Sequence, residues 1–174
     1  MKDQIQSAMA VLVGRPLWAC RRAADMATLQ FGLKTQGTDF FGRPAEWGEY
    51  AIHIQCPWRI VRGDRIMVGS SDLYYPAGYE NEKEEIPPGF DWDRDPNRRD
   101  ELLRSLFDDG KRNFIVQAVE AGMAGAVRIS MSDNLSLDIF PNDSLSHEHW
   151  RLLQPGNDER HFVVSARGIE AGSR

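Results

Sequence analysis

The side chains best suited to chemistry lie between Tyr50 and Pro76. His53, Gln55 and Arg59 occupy alternate positions of one run, and Asp72 follows beyond the next turn. Residues two apart on a strand share a face, so an imidazole, an amide and a guanidinium would project together. Trp58 and Tyr74 add aromatic surface beside them. In that arrangement His53 would serve as general acid or base, Asp72 as its partner and Arg59 as an anion anchor. These six residues are the candidate binding set.

The other reactive residues fall short of a recognisable site. His147 and His149 are two apart, and His161 lies across the next expected hairpin. Three nitrogens could bind a metal, but no HExxH-type spacing accompanies them, and surface or hydrogen-bonded histidines are the expectation. His53 and Cys56 are three apart on a strand and face opposite ways, which excludes a dyad between them; a pair of Cys20 with His53 has no supporting signature. The run Asp91-Trp92-Asp93-Arg94-Asp95 imitates a calcium loop, yet Pro96 and Leu102 stand where such a loop needs glycine and a bidentate glutamate. Gly69-Ser70-Ser71-Asp72 lacks the GxSxG elbow, and no phosphate-cradling glycine motif occurs. No catalytic residue, metal or cofactor is expected.

The elements that must position these residues are mostly strands. Tyr50 to Ile60 alternates apolar and polar residues, Arg62-Gly63-Asp64 interrupts, and Arg65 to Ser71 resumes; this reads as a long central hairpin. Before it come a short amphipathic helix over residues 3–14, capped by Asp3 and closed by Gly14, and a hairpin of Leu17–Arg22 with Met26–Phe31. Gly32 to Gly48 loses its periodicity and reads as a loop carrying Phe40, Phe41 and Trp47 back over the sheet edge. Residues 77–95 read as a long acidic surface loop, followed by a helix with Asp95 as N-cap, Pro96 first, and Leu102, Leu103, Leu106 and Phe107 as its apolar stripe. Strands at 113–120, 125–131 and 135–140 form a meander, a further pair spans 149–154 and 161–165, and the tail from Ile169 frays. The sum is an α+β chain: a mainly antiparallel sheet of about eight strands with one or two helices packed on it.

Length and composition narrow the class of function. The 174 residues fit one domain over 1–174, and 41% hydrophobic with 27% charged residues is ordinary for a globular protein. A net charge of −5 argues against nucleic-acid binding, which needs a basic surface. Two cysteines are too few for a disulfide framework. The longest N-terminal apolar run, Ala8 to Val13, is too short for an export signal or a membrane span, so a cytoplasmic monomer or homodimer away from membranes is expected.

Four segments carry a resemblance: Glu49 to Ile60 (EYAIHIQCPWRI), Gly69 to Pro76 (GSSDLYYP), Leu137 to Pro141 (LDIFP) and His149 to Leu152 (HWRL). They resemble those of a family of small uncharacterised bacterial proteins, similar in size and texture to immunity proteins of polymorphic-toxin systems. The resemblance implies no catalytic residue. The expected function is a non-enzymatic binding module, toxin-neutralising or regulatory, whose acidic segment docks a basic protein partner. The alternative is a small-molecule-binding or enzymatic domain with its site at His53, Arg59 and Asp72.

Overall fold

The computed structural model describes residues 1–38, 41–81, 83–156 and 161–171. Helix α1 (Lys2–Met9), extended by a 3-10 turn over Ala10–Leu12, sets Ile5, Met9 and Leu12 on one buried face. Asp3 lies inside the first turn rather than capping it, where its charge still complements the positive helix end. Val13 is exposed because the chain leaves the helix before Gly14, whose φ is +82°.

Strands β1 (Pro16–Ala23) and β2 (Met26–Thr38) form the expected first hairpin through Ala24 and Asp25. β2 does not stop at Phe31. It pairs with β3 (Pro44–Ile54) from Ala27↔Ile54 out to Thr38↔Pro44, so most of the expected loop over 32–48 is a two-stranded ribbon. The distal part of β2 is exposed at every position, and a ribbon wetted on both faces leaves no apolar period to read. Phe41 is exposed at the ribbon's end, Trp47 lies within β3, and Phe40 lies outside the described residues. A bulge between Phe31 and Lys34 brings the backbones together at Gly48: a Cβ there would lie 2.6 Å from the Phe31 oxygen and 2.7 Å from its nitrogen.

The run from Tyr50 to Ile60 is not one strand. β3 ends at Ile54, and β4 (Trp58–Arg62) starts after Gln55-Cys56-Pro57, then turns at Gly63-Asp64 into β5 (Arg65–Gly69). Pro57 has no N–H for a ladder and restricts Cys56, which accounts for the break. A 3-10 turn over Ser70–Tyr74 leads to the acidic segment, and helix α2 (Arg98–Leu106) follows. Its cap is Asn97, whose side-chain oxygen accepts from Asp100 N at 2.9 Å. Asp95, the expected cap, instead accepts from Asp91 N at 2.9 Å. Gly110 ends a separate 3-10 turn, Asp108–Gly110.

The meander appears as β6 (Phe114–Ala121), β7 (Val127–Met131) and β8 (Leu135–Ile139). A second one comprises β9 (Glu148–Leu153), β10 (His161–Ser165) and β11 (Gly168–Ala171). The chain is therefore α+β with an antiparallel sheet of eleven strands rather than about eight. The excess comes from the break at Pro57 and from β11, where a frayed tail was expected. No helix among the described residues is long and apolar enough to cross a membrane.

Sheet order is β11-β10-β9-β3-β2-β1-β6-β7-β8-β4-β5. In a flat sheet β3 and β4 would stand six spacings apart, about 29 Å at ~4.8 Å each. The link from Ile54 to Trp58 reaches at most about 14 Å. The sheet must therefore roll so that its halves face one another, and they do share one core. Leu29, Phe31, Ile52 and Ile54 from one half join Ile60, Val116, Ile129 and Leu137 from the other, with Trp58 and Trp150 between. α2 packs against β5 and the Ser70–Tyr74 turn, burying Leu103, Leu106 and the following Phe107.

Gly48→Ala should cost about 1–3 kcal/mol, the usual range for forced overpacking, read as a lower denaturation midpoint at unchanged m-value. An unaltered midpoint would show that the bulge can move aside.

Candidate functional site

The structure divides the six candidate residues between four places. His53, on β3, sits opposite Arg151 of β9 and is electrostatically coupled to Arg151, Glu148 and His161. Burial pushes its imidazole below the ordinary histidine value, with Arg151 acting the same way and Glu148 against, so it is neutral at pH 7. Arg59, on β4, is already committed: Asp138 accepts from its Nε at 3.0 Å and Phe140 lies under its guanidinium at 5.8 Å. Asp72 accepts from Gly69 N at 2.8 Å and pairs with Arg98 at 3.4 Å. His53, Arg59 and Asp72 share no contact, so the acid–base constellation expected of them is not assembled.

Gln55, Trp58 and Tyr74 do meet. They line one cavity of about 170 Å³, together with Ser70, Ser71 and Arg99. The break between β3 and β4 supplies Gln55 and Trp58, the 3-10 turn supplies the serines and Tyr74, and α2 supplies Arg99. Arg99 is only 1% exposed. Its Nη1 donates to the Asp25 carbonyl at 2.9 Å, while Nε and Nη2 find no protein acceptor. Burial pushes the guanidinium below its ordinary value, partly opposed by Cys20 and Asp100 and reinforced by Arg22; an arginine still keeps its proton. Sequence reasoning missed Arg99. The signal was its position four and seven residues before Leu103 and Leu106, which places a cation in the apolar stripe of α2.

A larger concavity of about 620 Å³ lies between β1 and α2, with Trp18, Lys34 and Arg22 in its wall. Most of its charges are paired: Arg22 with Asp93 at 2.9 Å and Asp100 at 2.8 Å, and Lys34 with Glu46 at 3.4 Å. Arg21, also in the wall, donates to the Glu46 carbonyl at 3.0 Å and lies over the Trp18 ring at 5.5 Å.

Asp143, His147 and His149 form a cluster whose donor atoms lie within 4.8 Å of one another. Asp143 stands 3.3 Å from His147 Nε2 and 3.4 Å from His149 Nε2. The backbone N–H of Leu145 lowers the Asp143 pKa, burial opposes, and the two imidazoles add to the lowering. Two imidazoles and a carboxylate could hold a cation such as zinc with a fourth position open. His161, the third nitrogen considered from the sequence, lies instead 3.3 Å from Arg151 Nη1. Both cysteines are free, and burial pushes each thiol up to about 12, which leaves no thiolate nucleophile.

Segment 77–95 is tied down at both ends. Ala77 N donates to the Pro96 oxygen at 3.0 Å and Arg98 N to the Tyr75 oxygen at 2.8 Å, closing the loop at its neck. Trp92 meets Tyr74 edge-on at 5.8 Å, and Tyr75 stacks on Tyr79 at 4.9 Å. Among the described residues no cation pairs with Glu80, Glu84 or Glu85, and all three are exposed.

One ion-pair network gives a pH test. Burial raises the Asp138 carboxyl, but hydrogen bonds from Arg128 and Arg59 outweigh it and hold it below the usual value. Its stabilisation is therefore fully present above the unfolded value of about 3.9 and is lost as pH falls through the lower folded value. Asp138→Asn should cost about 1.5–3 kcal/mol at pH 7 and should flatten the acid limb of a Tm-against-pH curve. A parallel curve displaced by a constant amount would contradict this.

No protein-family model, characterised protein or solved structure matches the chain.

Proposed function

We propose that the protein is a cytoplasmic, non-enzymatic binding module that docks a basic protein partner on the 77–95 segment, in the toxin-neutralising manner that the immunity-protein resemblance implies. One observation carries this reading. The segment holds seven acids against Lys83 and Arg94, a charge of −5; of the chain's 26 acids and 21 Lys+Arg, 19 of each remain elsewhere and cancel. All of the excess charge is therefore carried on one loop whose neck is pinned to α2.

The loop and the turn that leads into it together carry the composition of a docking surface. Tyr74 and Tyr75 are 49% and 37% exposed and Ile86 is 43% exposed, beside the acidic side chains. Aromatic anchors inside a charged rim are the usual anatomy of a specific interface. Unpaired carboxylates would speed encounter with a cationic partner. The separation of His53, Arg59 and Asp72 agrees with binding rather than turnover.

The test uses the wild-type chain and a Glu80→Lys/Glu84→Lys/Glu85→Lys variant as baits in extract from the native host. A basic protein should be retained by the wild type and about tenfold less by the variant, an affinity loss of ~1.4 kcal/mol. Retention should also fall as salt rises. Equal retention by both baits, insensitive to salt, would overturn the proposal.

A further inference from the structure

We propose that the cavity at Arg99 is a binding site for a small carboxylate with a short apolar body. The first argument is the chain's own use of arginine. Arg15 presents its Nε and Nη2 to Glu49 at 3.1 and 2.9 Å, and Arg128 presents the same two atoms to Asp138 at 2.7 and 3.0 Å. Arg151 grips Glu148 in the same fork. This edge of a guanidinium matches a carboxylate bidentately. Arg99 turns its Nη1 to a backbone carbonyl and leaves that edge without a protein acceptor, although the residue is 1% exposed.

The second argument is charge. A buried cation with no counter-ion costs several kcal/mol, and no ion pair to Arg99 exists among the described residues. Asp100, the adjacent acid, is spent on Arg22 at 2.8 Å and on the Asn97 amide at 2.9 Å. Asp25 contributes its backbone carbonyl. A ligand carboxylate would supply the missing charge and two charge-assisted hydrogen bonds together.

The third is shape. At about 170 Å³ the cavity resembles in size the ~150 Å³ engineered void that admits benzene. Ile54, Trp58 and Leu73 offer apolar wall, and Ser70 and Ser71 offer hydroxyls. Ser70 Oγ accepts from Trp58 N at 3.4 Å, which frees its own hydrogen to donate. Exposed Gln55, Ser71 and Tyr74 form the rim.

Isothermal titration of the full chain with sodium acetate, butyrate and benzoate, against sodium chloride at equal ionic strength, tests the site. A saturable one-to-one heat is expected for a carboxylate and none for chloride. Arg99→Lys keeps the charge but loses the fork and should weaken binding about tenfold or more. Ser71→Phe, at the exposed rim, leaves Arg99 in place and should also abolish the heat by filling the cavity, which covers the case of an Arg99 variant that misfolds. Sodium phosphate is the last arm. Binding of phosphate but of no carboxylate overturns the ligand class, and heats that match chloride, or that both variants leave intact, overturn the site.

Discussion

Three residues carry the chain from one half of a rolled sheet to the other, and the rest of the structure depends on that step. Gln55 and Cys56 both donate to the His149 carbonyl, at 2.8 and 3.1 Å, and the Pro57 carbonyl accepts from Phe140 at 3.0 Å. These bonds fasten the end of β3 and the start of β4 to the start of β9 and the residue after β8. With that point fixed, the two halves of the sheet can share one core. The same residues form a wall of the Arg99 cavity, so closing the roll and building the pocket are one event.

The sheet's alternating patterns were legible because each strand of the β6–β8 meander buries one face: Val127, Ile129 and Met131 against Leu135, Leu137 and Ile139. Two features were not. β2 beyond Gly32 is exposed at every position and so leaves no period. The break at Cys56 hides inside an unbroken alternation, since Tyr50 to Ile60 keeps its apolar phase while the chain changes sheet half; Pro57 was the one clue. The same mixture applies to the site. Gln55, Trp58 and Tyr74 line one cavity because the hairpin and its exit turn converge. Arg99 escaped because a periodicity scan reads a cation in an apolar stripe as part of the wet face.

Charge is distributed with economy across this fold. Arg15, Arg22, Arg59, Arg128 and Arg151 each meet a carboxylate, and the body of the protein is electrically balanced. Two places among the described residues stand out from that pattern. One is the acidic loop, with carboxylates that lack cations; the other is Arg99, a cation that lacks a carboxylate. They adjoin through Tyr74, which lines the Arg99 cavity and also meets Trp92 of the loop. An ion pair between the two would remove both imbalances, yet the neck at Pro76 and Asn97 holds the loop outside. Unpaired charge kept apart at this cost is better suited to recognition than to stability.

The most direct measurement follows the arginine side chains themselves. A nitrogen–proton NMR titration with benzoate should move the Arg99 Nε–H resonance saturably while those of Arg15, Arg128 and Arg151 stay fixed, because their forks are already filled. Movement of all four together, or of none, would contradict the account.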